Sequence, residues 1–346
     1  MRRLAQSFLA VAFGLALGLS ATWIAGENPW EVLKILARGA FGSRENIGMT
    51  LFYTTPLIFT GLSVAVAFQA GLFNVGAEGQ LNLGALAAAA IGALLPGLGW
   101  PMAPLLASLA ALAAGTVWGA IPGWLRARRG SHEVIVTIML NFVAVGLSTY
   151  VALYVLKNPE SQNPETRPIG LAYMIPRLGV FGDAPVSAAL PLALLVAAIV
   201  WVFLRRTALG YELRAVGQSE PAARAAGIDA TKMRILAMAI AGGLAGLVGV
   251  AEVLGNAGKF KVEFSPQYGF IGIAVALLGR NEPIGIVAAA LLFGALHQGT
   301  RELDFSTEHI TSEVSLVFQG LIILAVSAEP VTNWFRSKPR INTDEL

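Results

Sequence analysis

The stretch AGLFNVGAEGQLNLG, Ala70 to Gly84, places Asn74, Glu78, Gln80 and Asn82 between two long apolar runs. A carboxylate near the centre of a bilayer costs ~2.5–3.5 kcal/mol on insertion scales. The positive end of a helix returns only ~0.3–1 kcal/mol, or ~2 kcal/mol in the best cases. Glu78 therefore has to reach an interface, line a protein-walled aqueous cavity or carry a proton. Two chemistries are open to the group: the side chains contact a translocated substrate, or they satisfy a broken backbone and one another. A second polar set, Glu133, Thr137 and Asn141 in EVIVTIMLNFVA, recurs at i, i+4 and i+8, on one face of a helix. That stripe suits a pathway or a subunit interface, and equally a seam of interhelical hydrogen bonds worth ~0.6–2 kcal/mol per pair.

Bond-breaking chemistry has no comparable foothold. The chain has no cysteine, which excludes disulfides, thiolate nucleophiles and cysteine-held metals. Its three histidines, His132, His297 and His309, are not at metal-ligand spacing, so no metal site is expected. There is no HExxH, no GxSxG elbow and no paired-Asp motif. A phosphate loop of the form Gly-x-x-x-x-Gly-Lys-Ser/Thr is also missing, and the Gly258-Lys259 pair runs on into Phe260.

The elements that must carry these residues follow from composition. Of 346 residues, 55% are hydrophobic and 13% charged, with mean hydropathy +0.66, against ~25% charged residues in soluble domains. The apolar runs approach the ~20 residues that a membrane-crossing helix needs, and they far exceed the ~10-residue alternating strands of a barrel. The expectation is an all-α integral membrane protein, a single transmembrane domain over 1–346. About ten spans are expected, near 5–25, 47–70, 79–97, 101–125, 133–156, 186–204, 234–254, 267–279, 283–298 and 314–331. The first run, Phe8 to Ala25, lacks a small-x-small cleavage site and reads as an uncleaved span.

With Met1 inside, most of the 24 Lys and Arg fall on the inner side, among them Arg126, Arg128, Arg129, Arg205, Arg206, Arg214, Arg224, Lys232 and Arg234. The positive-inside rule then sets both termini in the cytoplasm and the chain in the cytoplasmic (inner) membrane. The net charge of +3 and pI near 9.3 are assigned to this topology and to membrane lipids, not to nucleic acid.

Two features break the run of simple spans. YGFIGIAVALLG is too short to cross unaided at ~1.5 Å per residue. Moreover Gly61-Leu62-Ser63-Val64-Ala65 resembles Gly272-Ile273-Ala274-Val275-Ala276, and each precedes a polar, Gly- or Pro-marked interruption. Interrupted helices at corresponding positions of two halves point to a transport pathway. Between the sixth and seventh spans, the basic segment 205–233 holds Ser219 as an N-cap, Pro221 in a first turn and Gly227 as a stop, so Glu220 to Ala226 reads as a short surface helix.

At this point the residues carry a resemblance. GLFNVGAEGQLNLGA resembles the signature of the type II ATP-binding cassette (ABC) importer permeases that serve simple sugars, branched-chain amino acids and nucleosides. GSHEVIVTIMLNFVA is similar to the pattern of the nucleoside branch, with His132 where that branch has Asn. LRAVGQSEPAARAAGIDATKMRILAMAIAGGLAGLVG and GIAVALLGRNEPIGI extend the match from about Leu51 to Gly299.

The resemblance implies a type II permease fold and a transport subunit that is not an enzyme, most closely a nucleoside importer, with sugar or branched-chain amino acid transport as alternatives. It implies that Asn74, Glu78, Gln80, Asn82, Thr137 and Asn141 border the translocation pathway. It implies that 205–233 is a cytoplasmic coupling loop whose Glu220, Ala222, Ala223 and Gly227 dock on an ATPase; an interfacial helix on anionic lipid is the other reading of that segment. No cofactor is expected on this chain: ATP and Mg would be used by two cytoplasmic ABC ATPase domains. A second, homologous but different permease chain and an extracytoplasmic substrate-binding lipoprotein complete the expected assembly. A stand-alone secondary transporter is the alternative of a different class, with Glu78 as its strongest coupling residue. Glu252, Asn256, Lys259, Lys261 and Glu263 fall on the outer side, as solvated charges or as a seat for the binding protein. His297 and Gln319 read as packing or hydrogen-bonding residues.

Overall fold

A computed structural model describes residues 2–24, 26–307, 316–322 and 324–325. These residues build helices α1 (Arg2–Ile24), α2 (Pro29–Phe41), α3 (Arg44–Gln69), α4 (Ala77–Leu94), α5 (Met102–Arg129) and α6 (Glu133–Tyr150). They continue with α7 (Ala189–Arg206), α8 (Ala208–Gln218), α9 (Glu220–Ala225), α10 (Ala230–Gly246), α11 (Tyr268–Leu278) and α12 (Pro283–Ser306). Short polar side chains start several of them. Ser43 accepts from Asn46 N, Thr207 from Gly210 N, Ser219 from Ala222 N and Asp229 from Lys232 N, each satisfying a first-turn N–H that the helix itself leaves unpaired.

The chain is multi-pass and helical as expected. Among the described residues, six helical segments are long and apolar enough to cross a membrane: Arg44–Gln69, Met102–Arg129, Glu133–Val155, Ala189–Arg206, Ala230–Ala257 and Pro283–Ser306. The expected span at 79–97 is α4, whose first turns carry Glu78, Gln80 and Asn82. The one at 267–279 is α11, only 11 residues long. Half of the last expected span, 314–331, lies outside the described residues, and Arg336, Lys338 and Arg340 lie wholly outside them. Two helices were not foreseen. α2 is a 13-residue amphipathic helix, too short and too charged to register as a span, and α8 precedes the surface helix, which ends one residue early at Ala225.

The centre of the bundle is α3, with 89% of its apolar window buried, whereas α5, α6 and α7 bury 22–28% and form the outer wall. Packing at the core depends on small residues. Ala107, Ala111, Gly115, Gly119 and Gly123 recur every fourth residue on one face of α5. That face meets Gly242 and Gly246 of α10, running antiparallel. A β-carbon on Gly242 would overlap the Gly115 carbonyl oxygen, and one on Gly119 the Met238 carbonyl oxygen. Gly84 of α4 meets Gly246 at similarly close range. Lipid supplies no hydrophobic drive between helices, so association rests on this backbone-level van der Waals fit.

The two similar segments pack on each other. A β-carbon on Gly272 of α11 would strike Thr60 of α3, and one on Gly61 would strike Val275. The interruptions that follow them also meet: Gln69 Nε2 at the end of α3 donates to Asn281 O in the turn between α11 and α12, at 3.3 Å. Gly71, at φ +71, turns the chain beside Gly217 of α8. Arg205 pairs with Glu282 at this same end. It is also the end that carries the basic residues closing α5 and α7.

Gly242→Leu should force α5 and α10 apart. The expected result is a lower melting temperature and a smaller folded yield in detergent, corresponding to ~1–3 kcal/mol of overpacking or more. Gly146→Leu, where no atom lies within 4 Å of the added β-carbon, should melt as the parent does. Equal melting of the two variants would remove the seam's role.

Candidate functional site

The first interruption, residues 70–76, is a buried backbone loop knotted by amides. Asn74 and Gln80 face each other as a reciprocal pair: Asn74 Nδ2 donates to Gln80 Oε1 at 2.8 Å, and Gln80 Nε2 donates to Asn74 Oδ1 at 3.0 Å. Asn74 Nδ2 also reaches Ser63 Oγ at 3.2 Å, and its Oδ1 accepts from Gly76 N at 3.1 Å. Both side chains are fully buried. Asn82 donates back to Glu78 O at 2.9 Å, along its own helix.

The polar stripe of α6 closes the same loop from the other side. Asn141 Oδ1 accepts from Gly79 N at 2.9 Å, and Asn141 Nδ2 donates to Val75 O at 3.0 Å. One side chain thus satisfies a first-turn N–H of α4 and a carbonyl of the loop. Thr137 is buried against Gly76 and returns its hydroxyl to Glu133 O and Val134 O. Glu133 sits beside Arg126, 3.2 Å away at the end of α5. Thr137, Asn141, Ala144 and Ser148 are the buried positions of an otherwise exposed helix, so the stripe seen in the sequence is the face that packs on α4.

Glu78 joins the two interruptions. Its Oε2 accepts from Gly269 N at 2.7 Å, in the first turn of the half-helix α11, and the Ser265 hydroxyl also hydrogen-bonds the carboxyl. Glu78 lies in the first turn of α4 as well. The carboxyl therefore bridges two helix N-termini, where anionic charge is favoured.

Beyond the N-terminus of α11, on the side away from the basic end, lies a cavity of about 320 Å³. Its walls come from α3 (Phe52, Tyr53), α12 (His297), the loop before α11 (Glu263, Phe264, Pro266), Tyr268, and a π-helical segment, Val250–Ala257, that follows α10 and carries Glu252 and Asn256. Glu252 is only 7% exposed. Tyr268 Oη donates to Glu252 Oε1 at 3.0 Å, and Asn256 hydrogen-bonds the same carboxyl. The Tyr53 and His297 rings pack against each other with centroids 4.2 Å apart and planes tilted by 58°. A smaller recess of about 150 Å³ shares Glu252, Asn256 and Phe264 and ends at Lys259 and Lys261.

These residues correct the sequence reading. Glu252 is not a solvated outer charge but a buried one, because the whole stretch Val250 to Gly255 is packed inside the protein. Lys259 is bonded to Glu165 Oε1 at 2.8 Å, and this bond holds the Glu165 carboxyl below the usual range. The sequence reads His297 as a packing residue, since a lone His in an apolar run usually packs; in the structure it lines the cavity. A four-residue spacing, Glu252 to Asn256, was the one available signal.

At the basic end, Glu220 bridges Arg224 and Arg234, each at 2.6 Å. Partial burial pulls its carboxyl up, but the two guanidiniums outweigh this and hold it below the usual range. Ala223 packs inward with Val216, Ala230 and Met233, while Ala222 and Gly227 are exposed. Gly227 has φ +82, and a β-carbon there would have no atom within 4 Å.

The sequence from 46 to 327 matches the family model described as branched-chain amino acid transport system / permease component. The guanosine ABC transporter permease protein NupP of Bacillus subtilis is 37% identical over 322 residues, covering 92% of each chain. The glucose ABC transporter permease protein TsgB13 of Haloferax volcanii is 34% identical, over 91% of this chain and 85% of its own. The nucleoside ABC transporter permease protein NupB of Lactococcus lactis is 34% identical, over 95% and 92%.

Asn141→Leu leaves the Gly79 N–H and the Val75 carbonyl buried without partners, which should cost ~1–3 kcal/mol for each group. Glu78→Gln keeps an acceptor for Gly269, whereas Glu78→Leu does not. Melting temperatures in detergent should rank parent, Glu78→Gln, Glu78→Leu in falling order, with Asn141→Leu below the parent.

Proposed function

The chain belongs to the permease family described as branched-chain amino acid transport system / permease component, and on that premise we propose that it is the membrane-spanning subunit of an ABC importer that moves nucleosides. The observation that carries the substrate is the similarity to a guanosine and to a nucleoside permease over more than nine-tenths of this chain. The glucose permease among the relatives keeps sugars as the comparison to be made.

The working unit we propose has the type II fold as a single domain over 1–346, with about ten spans when α1, α4, the half-helix α11 and residues 314–331 are counted with the six membrane-length helices. It sits in the cytoplasmic membrane with both termini inside. A second guanosine permease protein of Bacillus subtilis, NupQ, is 31% identical over 71% of this chain, which supports pairing with a different, homologous permease. Two ABC ATPases on the cytoplasmic side would bind and hydrolyse ATP with Mg, and an outer lipoprotein would deliver substrate.

In this reading 205–233 is the coupling segment. Its exposed Ala222 and Gly227 meet the ATPase, while Glu220, tied to Arg224 and Arg234, fixes α9 to the start of α10. A push on α9 then reaches α10 and, through the glycine seam, α4 and α5. Asn74, Glu78, Gln80, Asn82, Thr137 and Asn141 border the pathway by shaping the interruptions that α4 and α11 begin from. Alternating access follows if these half-helices shift as units. A secondary transporter would need Glu78 free to exchange ions, and its two bonded partners at the α11 N-terminus do not favour that.

Reconstitution of the permease pair with ATPase and lipoprotein in vesicles tests the function directly: ATP-dependent uptake of radiolabelled nucleosides is expected, with glucose and leucine far slower. Preferred uptake of either competitor would overturn the substrate. For coupling, Gly227→Asn, which tolerates positive φ, should assemble and transport. Gly227→Trp should insert normally yet lose most ATPase association and uptake. Parental assembly and uptake in Gly227→Trp would refute docking at this turn.

A further inference from the structure

The polar residues of the first interruption leave little hydrogen-bonding capacity for a substrate, since Asn74, Gln80 and Asn141 are each bonded twice or more within the scaffold. The cavity beyond the N-terminus of α11 is different in kind. At about 320 Å³ it falls within the ~300–1,000 Å³ of small-molecule sites. Its walls combine five rings, those of Phe52, Tyr53, Phe264, Tyr268 and His297, with two carboxyl groups, Glu252 and Glu263, and the Asn256 amide.

We infer that this cavity is a recognition site for the base of a nucleoside, with the heterocycle against the aromatic walls and its N–H edge on Glu252 and Asn256. The inference rests on the nucleoside reading and adds to it where on this chain the base is held.

The chemistry separates the three candidate substrates. A nucleobase is flat, uncharged and carries N–H donors at its edge. It gains from aromatic faces and from a carboxylate acceptor, the stronger kind of hydrogen bond. A branched-chain amino acid brings a carboxylate, and no Lys or Arg lines the cavity, only Glu252 and Glu263. The guanidinium of Arg301 is held on the Tyr53 hydroxyl at 2.8 Å. A sugar offers hydroxyls to Glu252 and Asn256 but no flat aromatic face to match five rings.

Glu252 is also placed rigidly. It is nine-tenths buried, its Oε1 accepts from Tyr268, and Asn256 hydrogen-bonds the same carboxyl. Each carboxylate oxygen has a second lone pair for a ligand. The segment that carries both residues is π-helical, a geometry frequent at functional sites. Tyr268, the first residue of α11, forms the floor, so the site lies directly over the half-helix that Glu78 caps. A base bound here would sense any movement of α11.

The native chain has no cysteine, which makes a protection experiment direct. Asn256→Cys and, separately, Phe264→Cys are introduced into the reconstituted complex, and labelling of this chain by a water-soluble thiol reagent is timed by mass. Both should label, and saturating guanosine or adenosine should slow labelling at least tenfold, with ribose, glucose and leucine without effect. In parallel, Glu252→Gln should raise the KM for nucleoside uptake at least tenfold, and an unchanged KM would overturn the contact with the base. Uptake of nucleosides by the parental complex with no protection at either cysteine, or with no labelling at either, overturns the cavity assignment and leaves the nucleoside function standing. Absence of nucleoside uptake in the parental complex overturns both.

Discussion

A helix that begins inside a bilayer exposes N–H groups that no water can reach. The chain contains two such beginnings, at α4 and α11, and the rest of the interior is arranged around satisfying them. Asn141 serves the first turn of α4, the Asn74–Gln80 pair ties down the loop that leads into it, and Glu78 serves α11. Asn141 comes from α6, Glu78 and Gln80 from α4 and Asn74 from the loop itself, so α4, α6 and α11 cannot be pulled apart without freeing a buried group. The interruptions are thereby made rigid, although interrupted helices in isolation would be the weakest points of the fold.

This use of polar side chains divides the interior into two kinds of residue. In the α3–α4–α6 region amides and a carboxyl act on backbone. In the cavity near the π-helical segment the polar groups face open volume, with Glu252 held by Tyr268 and Asn256. The two regions meet at the start of α11, where Gly269 bonds Glu78 and the preceding Tyr268 bonds Glu252. A half-helix of 11 residues is short enough to shift as a body, and its first turn is in contact with both regions.

Much of this was legible in the sequence. The cost of placing Glu78 in an apolar run required a break with compensation, and the i, i+4, i+8 stripe of α6 located the helix face that supplies part of it. The short span at Tyr268–Leu278 and the repeat of Gly61 and Gly272 anticipated the paired interruptions. Residue types could not assign partners, because an amide that caps a helix and one that binds a substrate look alike until their neighbours are known. Glu252 departs from its sequence reading for a related reason: its place near the outer end of a span suggests a solvated charge, and only the packing around Val250 to Gly255 reveals that it is buried. α2 escaped notice because 13 amphipathic residues carry no signal of membrane length.

The glycine seam has a consequence for how the protein is made. Gly115 and Gly119 of α5 are synthesised more than a hundred residues before Gly242 and Gly246 of α10. At ~5–20 residues per second of translation, α5 waits for seconds to tens of seconds with its small-residue groove against lipid tails. The groove fits only another backbone, so a passing helix from a different protein with the same spacing is its natural wrong partner. Release of ordered lipid when α10 arrives then becomes part of what drives assembly. The order of synthesis, as much as the final contacts, thus sets how long the groove must stay free of other helices before its own chain fills it.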